Sequence, residues 1–153
     1  MSEHAKTESA DTKLPPDVEK YIDEEILFLR KAGLAGDLDV MADRAMERLN
    51  RKHEDLRDIE SELDILDYDI KKMDKTIDKW CKPQRKLLSR LLVLVFKIRK
   101  PFDTYYDEFE ELKKKRSILE ARKMGLLDEI DEDTDLAKRA ASCRRALSDY
   151  RGR

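Results

Sequence analysis

The sequence predicts an all-α protein, an elongated antiparallel coiled-coil hairpin with short additional helices. Charged residues make up 44% of the chain, while Gly and Pro number only four each. Long helices suit this composition, because their polar faces solvate many charges and few helix breakers interrupt them. Hydrophobic residues make up 40% and recur at regular spacing, which argues against disorder.

The N-terminal part is predicted to be a disordered tail followed by a short helix. Residues 1–16 form the tail, and residues 17–153 form a single elongated helical domain. A stripe at helical spacing follows the tail: Val18, Ile22, Ile26 and Leu29. Gly33 and Gly36 should end this helix, and Asp37 is a suitable N-cap for the next one.

The first long helix, at about residues 37–82, carries the strongest signal in the chain. Its apolar stripe alternates in steps of four and three, which is the heptad pattern of a coiled coil. The stripe consists of Leu38, Ala42, Ala45, Leu49, Lys52, Leu56, Ile59, Leu63, Leu66, Ile70, Met73, Ile77 and Trp80. Lys52 is its one polar member, so this helix should bury a continuous face against a partner helix.

A connector at 83–101 separates this helix from a second long helix, predicted at about 103–131. The second stripe, which with the first would form the seam between the two helices, is weaker because it includes the charged residues Arg116 and Lys123. It consists of Phe102, Tyr105, Phe109, Leu112, Arg116, Leu119, Lys123, Leu126 and Ile130. The acidic run at 131–135 shifts the phase of the pattern, and Thr134 could cap a new helix. We therefore expect a separate C-terminal helix at about 134–151.

Charges beside the seam predict that the two long helices pair with each other. The flanking positions of the first helix between residues 55 and 74 are all acidic: Asp55, Glu60, Glu62, Asp67, Asp69 and Asp74. The second helix offers Lys113, Lys115 and Arg122 at its flanking positions. A fold-back at the connector makes facing residue numbers sum to about 183, which brings these opposite charges together. An intramolecular hairpin is favoured, and a homodimer through the seam is the alternative.

The connector combines basic and apolar residues. Its proposed contacts for an anionic surface are Lys82, Arg85, Lys86, Arg90, Lys97, Arg99 and Lys100. The apolar block within it is too short to span a membrane, which takes about 20 residues. Four interpretations stay open: a third helix packed on the hairpin, a surface covered by a partner protein, a contact for an anionic membrane, or a calmodulin-type target helix.

The sequence contains no motif that predicts an enzyme, a cofactor site or a metal site. His4 lies in the tail and His53 lies beside the heptad stripe, while Cys81 and Cys143 are too far apart in sequence for a metal-ligand spacing. A net charge of −2 does not favour nucleic acid as a partner. No secretory signal is recognisable, so we expect a cytoplasmic protein, with association with the cytoskeleton as one option.

These features predict a structural or adaptor subunit of a larger protein assembly, of cytoskeletal, ciliary, kinetochore or tethering type. It would bind other helical proteins, because the residue facing Leu49 is near 134, where the second repeat breaks, and the seam before it is left open. The predicted contact residues are Leu38, Met41, Ala45, Leu49, Leu56, Leu87, Leu91, Leu94, Val95 and Phe96. The alternative is a peripheral membrane-binding module that uses the connector at 79–101.

Overall fold

A computed structural model describes residues 14–81 and 101–152 of the chain. The described residues form three α-helices and no strand: α1 (Pro16–Lys31), α2 (Leu38–Cys81) and α3 (Pro101–Arg151). Helices α2 and α3 pack against each other along much of their length, as the predicted hairpin requires. The described part of the chain is therefore an all-α helical hairpin with one further helix on its N-terminal side.

The chain divides into two compact units. The first, which we call the terminal unit, comprises residues 1–51 and 130–153, and the second, the hairpin unit, comprises residues 52–129. Among the described residues, the terminal unit contains α1 and the adjoining parts of α2 and α3. The hairpin unit contains the remaining parts of α2 and α3.

Helix α1 begins at Pro16, the last residue assigned to the tail, and ends before Gly33, as the sequence predicts. Pro16 occupies its first turn, where the missing backbone N–H costs no hydrogen bond, and Asp17 adds negative charge there. The chain then turns through Gly33 and Gly36, whose φ angles of 85° and 111° favour glycine. Asp37 caps α2 as predicted, because its Oδ1 accepts a hydrogen bond from the Val40 backbone N–H at 3.0 Å.

The core of the terminal unit joins all three helices. It contains large side chains from α1, the turn and the start of α2, and small ones from α2 and α3. Its buried members are Leu29, Leu34, Met41, Ala42, Ala45, Ala137 and Ala140. The alanines occupy little volume and therefore let the helix backbones approach closely. The larger side chains fill the space that remains between the helices.

Ion pairs within the hairpin unit confirm the antiparallel register. Lys52 pairs with Glu129, Glu60 with Lys123 and Asp67 with Arg116. The residue numbers in these pairs sum to between 181 and 183, as the predicted fold-back requires. The cations differ in part from those expected. The cations of the inter-helix pairs are the seam residues Lys52, Arg116 and Lys123, whereas Lys113 contacts Glu110 of its own helix.

The predicted break in α3 is wrong, because the helix runs without interruption through residues 131–135. This acidic run contains no Gly or Pro, so every backbone N–H can continue the helical hydrogen-bond ladder. The steps of three and four also continue through it, from Ile130 to Asp133, Ala137 and Ala140, all of which are buried. Thr134 is therefore an interior residue of α3 and not a cap.

Candidate helix-docking face

The predicted partner-binding residues at the start of α2 lie inside the terminal unit. Met41 and Ala45 belong to its buried core, and Leu38 and Leu49 pack against that core. The expectation that this stretch extends beyond the folded-back helix is wrong, because α3 continues past residue 131 and covers it. These side chains are therefore packed within the chain and offer no open seam.

The remaining predicted contact residues divide between the hairpin seam and the connector. Leu56 is half-buried in the seam of the hairpin unit. The apolar connector residues lie outside the described residues: Leu87, Leu91, Leu94, Val95 and Phe96. So do the basic ones, Lys82, Arg85, Lys86, Arg90, Lys97, Arg99 and Lys100. The assignments made for the connector stay predictions from the sequence.

The described part of the chain holds no group of three or more His, Cys, Asp or Glu residues that could bind a metal ion. Within residues 14–81 and 101–152, none of the helices is both long enough and apolar enough to cross a membrane. Of the two histidines considered in the sequence, His53 is exposed on α2 and His4 lies outside the described residues.

An apolar groove lies between the two helices of the hairpin unit. It is lined by Glu62, Ile65, Leu66, Lys115, Ile118 and Leu119. Of these lining residues, Leu66 and Leu119 belong to the seam and are half-buried, whereas Ile65 and Ile118 lie outside the seam stripe. These isoleucines are 60% and 67% exposed, although β-branched aliphatic residues are among those most often buried in proteins.

The register explains why the two isoleucines share one face. Both occupy the third position of a heptad whose first position lies in the seam, and their residue numbers sum to 183, the sum found for the Asp67–Arg116 pair. Hence Ile65 and Ile118 lie at the same level on neighbouring helices. Both isoleucines lie outside the seam stripe and were not predicted from the sequence. An isoleucine on each helix outside the stripe, at matching levels, was the available signal.

Charged residues surround this isoleucine pair in a complementary pattern. On α2, Glu62 and Asp69 lie on either side of Ile65. On α3, Lys115 and Arg122 lie on either side of Ile118. One turn further, Lys72 on α2 lies level with Glu111 on α3. We call the surface made by these residues and the groove the groove face.

The charges of the groove face have no partners within the described part of the chain. All six residues are exposed, and none of their side chains forms an ion pair or a hydrogen bond with another described residue: Glu62, Asp69, Lys72, Glu111, Lys115 and Arg122. The acids that do pair across the hairpin, Glu60 and Asp67, lie on the opposite side of the seam. The groove face is therefore free for electrostatic contact with another molecule.

The seam cations show how the hairpin accommodates charge. The Arg116 Nε donates a hydrogen bond to Asp67 Oδ1 at 2.5 Å, and a second nitrogen lies 2.9 Å from Glu120. The hydrogen bond to Asp67 raises the pKa of Arg116 above its ordinary value, and the negative charges of Asp67 and Glu120 add to this effect. Arg116 and Lys123 thus serve pairing inside the hairpin, and the groove face does not depend on them.

Comparison with known proteins gave no relative for this chain. No family model matches it, and no curated protein or solved structure shows significant similarity to it.

Proposed function

We propose that this chain is a non-enzymatic structural or adaptor subunit of a larger protein assembly and acts by helix–helix packing. The observation that carries the proposal is the groove face, where Ile65 and Ile118 are exposed beside a seam leucine on each helix. A helix laid into such a groove would bury both isoleucines, and burial of apolar area stabilises contacts by about 25 cal/mol per Å².

Incomplete burial along the hairpin supports the same proposal. In the hairpin unit, Ile59 and Leu63 are the buried seam residues among those described, while Leu56, Leu66 and Ile70 are only half-buried. Two helices cover each other on one side only, and a third or fourth helix is the usual way to cover the rest. A partner that supplies helices would complete the core of this unit.

A cytoplasmic assembly of cytoskeletal, ciliary, kinetochore or tethering type is the setting that we propose. Such assemblies use heptad helices as spacers and joints, and the length of α2 and α3 suits that use. The contact would be specified mainly by the isoleucine pair, with the surrounding charges selecting the partner and its direction.

The proposal can be tested by affinity purification of the tagged chain from its native cell, followed by mass spectrometry. The informative variant is Ile65→Asp combined with Ile118→Asp, and the matched control is Met124→Asp. Met124 is 61% exposed on the hairpin unit but does not line the groove. We expect a fixed set of proteins in stoichiometric amounts with the wild type and the control, and loss of that set with the groove variant.

Three results would contradict the proposal or its mechanism. If the wild-type chain is recovered alone, it has no stable assembly. If it is recovered alone in the membrane fraction and binds vesicles of anionic lipid, the basic connector predicted from the sequence becomes the better explanation. Equal recovery of partners with the groove variant and the Met124 control would remove the groove face from the mechanism.

A further inference from the structure

We propose that the groove face binds a second copy of this chain, so that α2 of one copy lies against α3 of the other. This inference rests on the proposed function, because it names the occupant of the same groove. The two hairpins would form an antiparallel four-helix arrangement with the isoleucine pairs at its centre, related by a twofold axis parallel to the helices.

Charge complementarity carries the inference. With the axis parallel to the helices, each level of α2 faces the same level of α3 in the partner copy. Ile65 then faces Ile118 of the other copy. The surrounding pairs across the interface are Glu62 with Arg122, Asp69 with Lys115 and Lys72 with Glu111. Each pair joins opposite charges, and the twofold axis repeats each pair once more.

The same residues do not satisfy one another within a single hairpin. Glu62 and Arg122 lie at similar levels of one chain, yet their side chains form no ion pair with each other. A second hairpin placed over the groove would bring a partner to each charge without moving the helices. It would also bury Ile65 and Ile118, which the described residues leave exposed.

The alternative twofold arrangement is unfavourable. An axis perpendicular to the helices places α2 against α2 and α3 against α3. Glu62 would then approach Asp69 of the other copy, and Lys115 would approach Arg122. Both contacts join like charges, which destabilises an interface and selects against this orientation.

The size of the face predicts a weak dimer. From Glu62 to Lys72 the face extends about 15 Å along α2. A face of this length buries less than the total of about 1,600 Å² that is usual for a stable interface. We therefore expect a dissociation constant on the order of 10 μM, typical of a contact that forms and breaks readily.

The test uses two complementary charge variants of the full chain in sedimentation velocity at about 1 to 300 μM, around the expected constant. In the variant Glu62→Lys with Asp69→Lys, the four charged residues next to the isoleucine pair are all basic. In the variant Lys115→Glu with Arg122→Glu, the same four positions are all acidic. Each variant alone should associate at least about tenfold more weakly than the wild type. A mixture of the two should recover the dimer, because each α2 then meets an oppositely charged α3.

A control separates the face from overall charge. Asp64→Lys with Asp78→Lys changes the charge by the same amount at two exposed positions of α2 outside the groove face. This control should dimerise like the wild type. Circular dichroism of every variant establishes that it is helical. A wild-type chain that stays monomeric, or a control that loses association as fully as the face variants, would overturn the inference.

Cysteine cross-linking tests the orientation, in a background with Cys81→Ser and Cys143→Ala. A chain with Ile65→Cys should form a disulfide with a separate chain carrying Ile118→Cys, because bridged Cα atoms must lie within about 7 Å. Ile65→Cys alone should give little disulfide-linked dimer, because residue 65 of one chain does not face residue 65 of the other. Rapid dimerisation of Ile65→Cys alone would contradict the proposed orientation.

The two proposals fail in different ways. A monomeric wild-type chain whose co-purifying proteins are lost with the Ile65→Asp, Ile118→Asp variant would contradict the second-copy inference and leave the proposed function standing. A dimer that purifies without any other protein would support the inference and contradict membership in a larger assembly.

Discussion

Arg116 and Lys123 occupy seam positions of α3, where a coiled coil ordinarily places apolar residues. Their side chains reach out of the seam, so that Arg116 meets Asp67 and Lys123 Nζ lies 2.7 Å from Glu60. The two side chains are only 39% and 32% exposed, as expected where an aliphatic stem lies along the helix interface and its charged end reaches water. Such partly exposed pairs stabilise a fold by less than about 1 kcal/mol, but they define the register.

Replacing Arg116 with leucine should therefore stabilise the hairpin. Arg116→Leu removes a modest ion pair and adds apolar burial opposite the seam of α2, so the free energy of unfolding should rise by about 1 kcal/mol. Chemical denaturation followed by circular dichroism measures the change. Arg57→Leu, at an exposed position of α2, is the control and should change stability by less than about 0.5 kcal/mol. A loss of stability in Arg116→Leu would mean that the ion pair outweighs apolar packing.

Cys143 should be unreactive in the folded chain. It should also make the free energy of unfolding fall as the pH rises through the alkaline range. Burial, and then the charge of Glu25, raises the pKa of the Cys143 thiol above its ordinary value. The unfolded chain loses this proton first as pH rises, so the folded state loses stability above about pH 8.5.

The measurement compares a Cys81→Ser chain with one that also carries Cys143→Ala. Denaturation midpoints from pH 7 upward should fall more steeply in the chain that retains Cys143, and alkylation of its thiol should need unfolding. A steep fall of equal size in both chains, or rapid alkylation under native conditions, would show that the thiol titrates as an exposed group.

At the scale of elements, the turn between α1 and α2 is held by side chains of α2. Arg48 donates hydrogen bonds to the carbonyl oxygens of Ala32 and Gly33, and Arg44 donates one to Ala35 at 2.7 Å. These bonds satisfy carbonyl groups at the end of α1 and in the turn, which the helix itself leaves without partners. The turn is thereby fixed while Leu34 is buried in the core of the terminal unit.

The two glycines in different elements should respond oppositely to alanine. Gly36 has φ 111°, and a Cβ there would lie 2.8 Å from Val40 Cγ1, so Gly36→Ala should destabilise the fold by about 1–3 kcal/mol. Gly125 lies inside α3 with open space around it, so Gly125→Ala should stabilise by about 0.5–1 kcal/mol. Thermal unfolding of both variants at low protein concentration measures the difference. Destabilisation by Gly125→Ala at low protein concentration would contradict the open space found around this position.

The sequence predicted the elements and their register because those depend on local patterns. The heptad stripe of α2, the Asp37 cap and the fold-back sum of about 183 all follow from spacing and charge. The break at 131–135 was predicted wrongly because buried alanines carry a weak hydrophobic signal, and the burial of Asp133 in the continuing stripe has no signature in sequence. The groove face was missed for another reason. A single exposed isoleucine does not predict a binding face, and only the register of the hairpin shows that Ile65 lies level with Ile118.

At the scale of the whole molecule, the two units bury their apolar residues to different extents. In the terminal unit, Leu29, Met41, Ala140 and Cys143 are completely buried. In the hairpin unit most described seam residues keep some exposure. Because local stability follows local burial, the terminal unit should open less often than the hairpin unit. The less stable unit carries the groove face, where a partner would supply the missing burial.

Hydrogen exchange measured at several protein concentrations tests this account of the whole molecule. In dilute solution, amides of residues 41–45 and 137–143 should exchange most slowly, and those of residues 62–72 and 111–122 should exchange faster. If a second copy covers the groove face, protection of the latter two segments should rise with concentration while the terminal unit stays unchanged. The Ile65→Asp, Ile118→Asp variant should lose this concentration dependence. Uniform exchange along α2 and α3 would contradict the division by burial, and concentration-independent exchange at the groove face would mean that the second copy does not bind there.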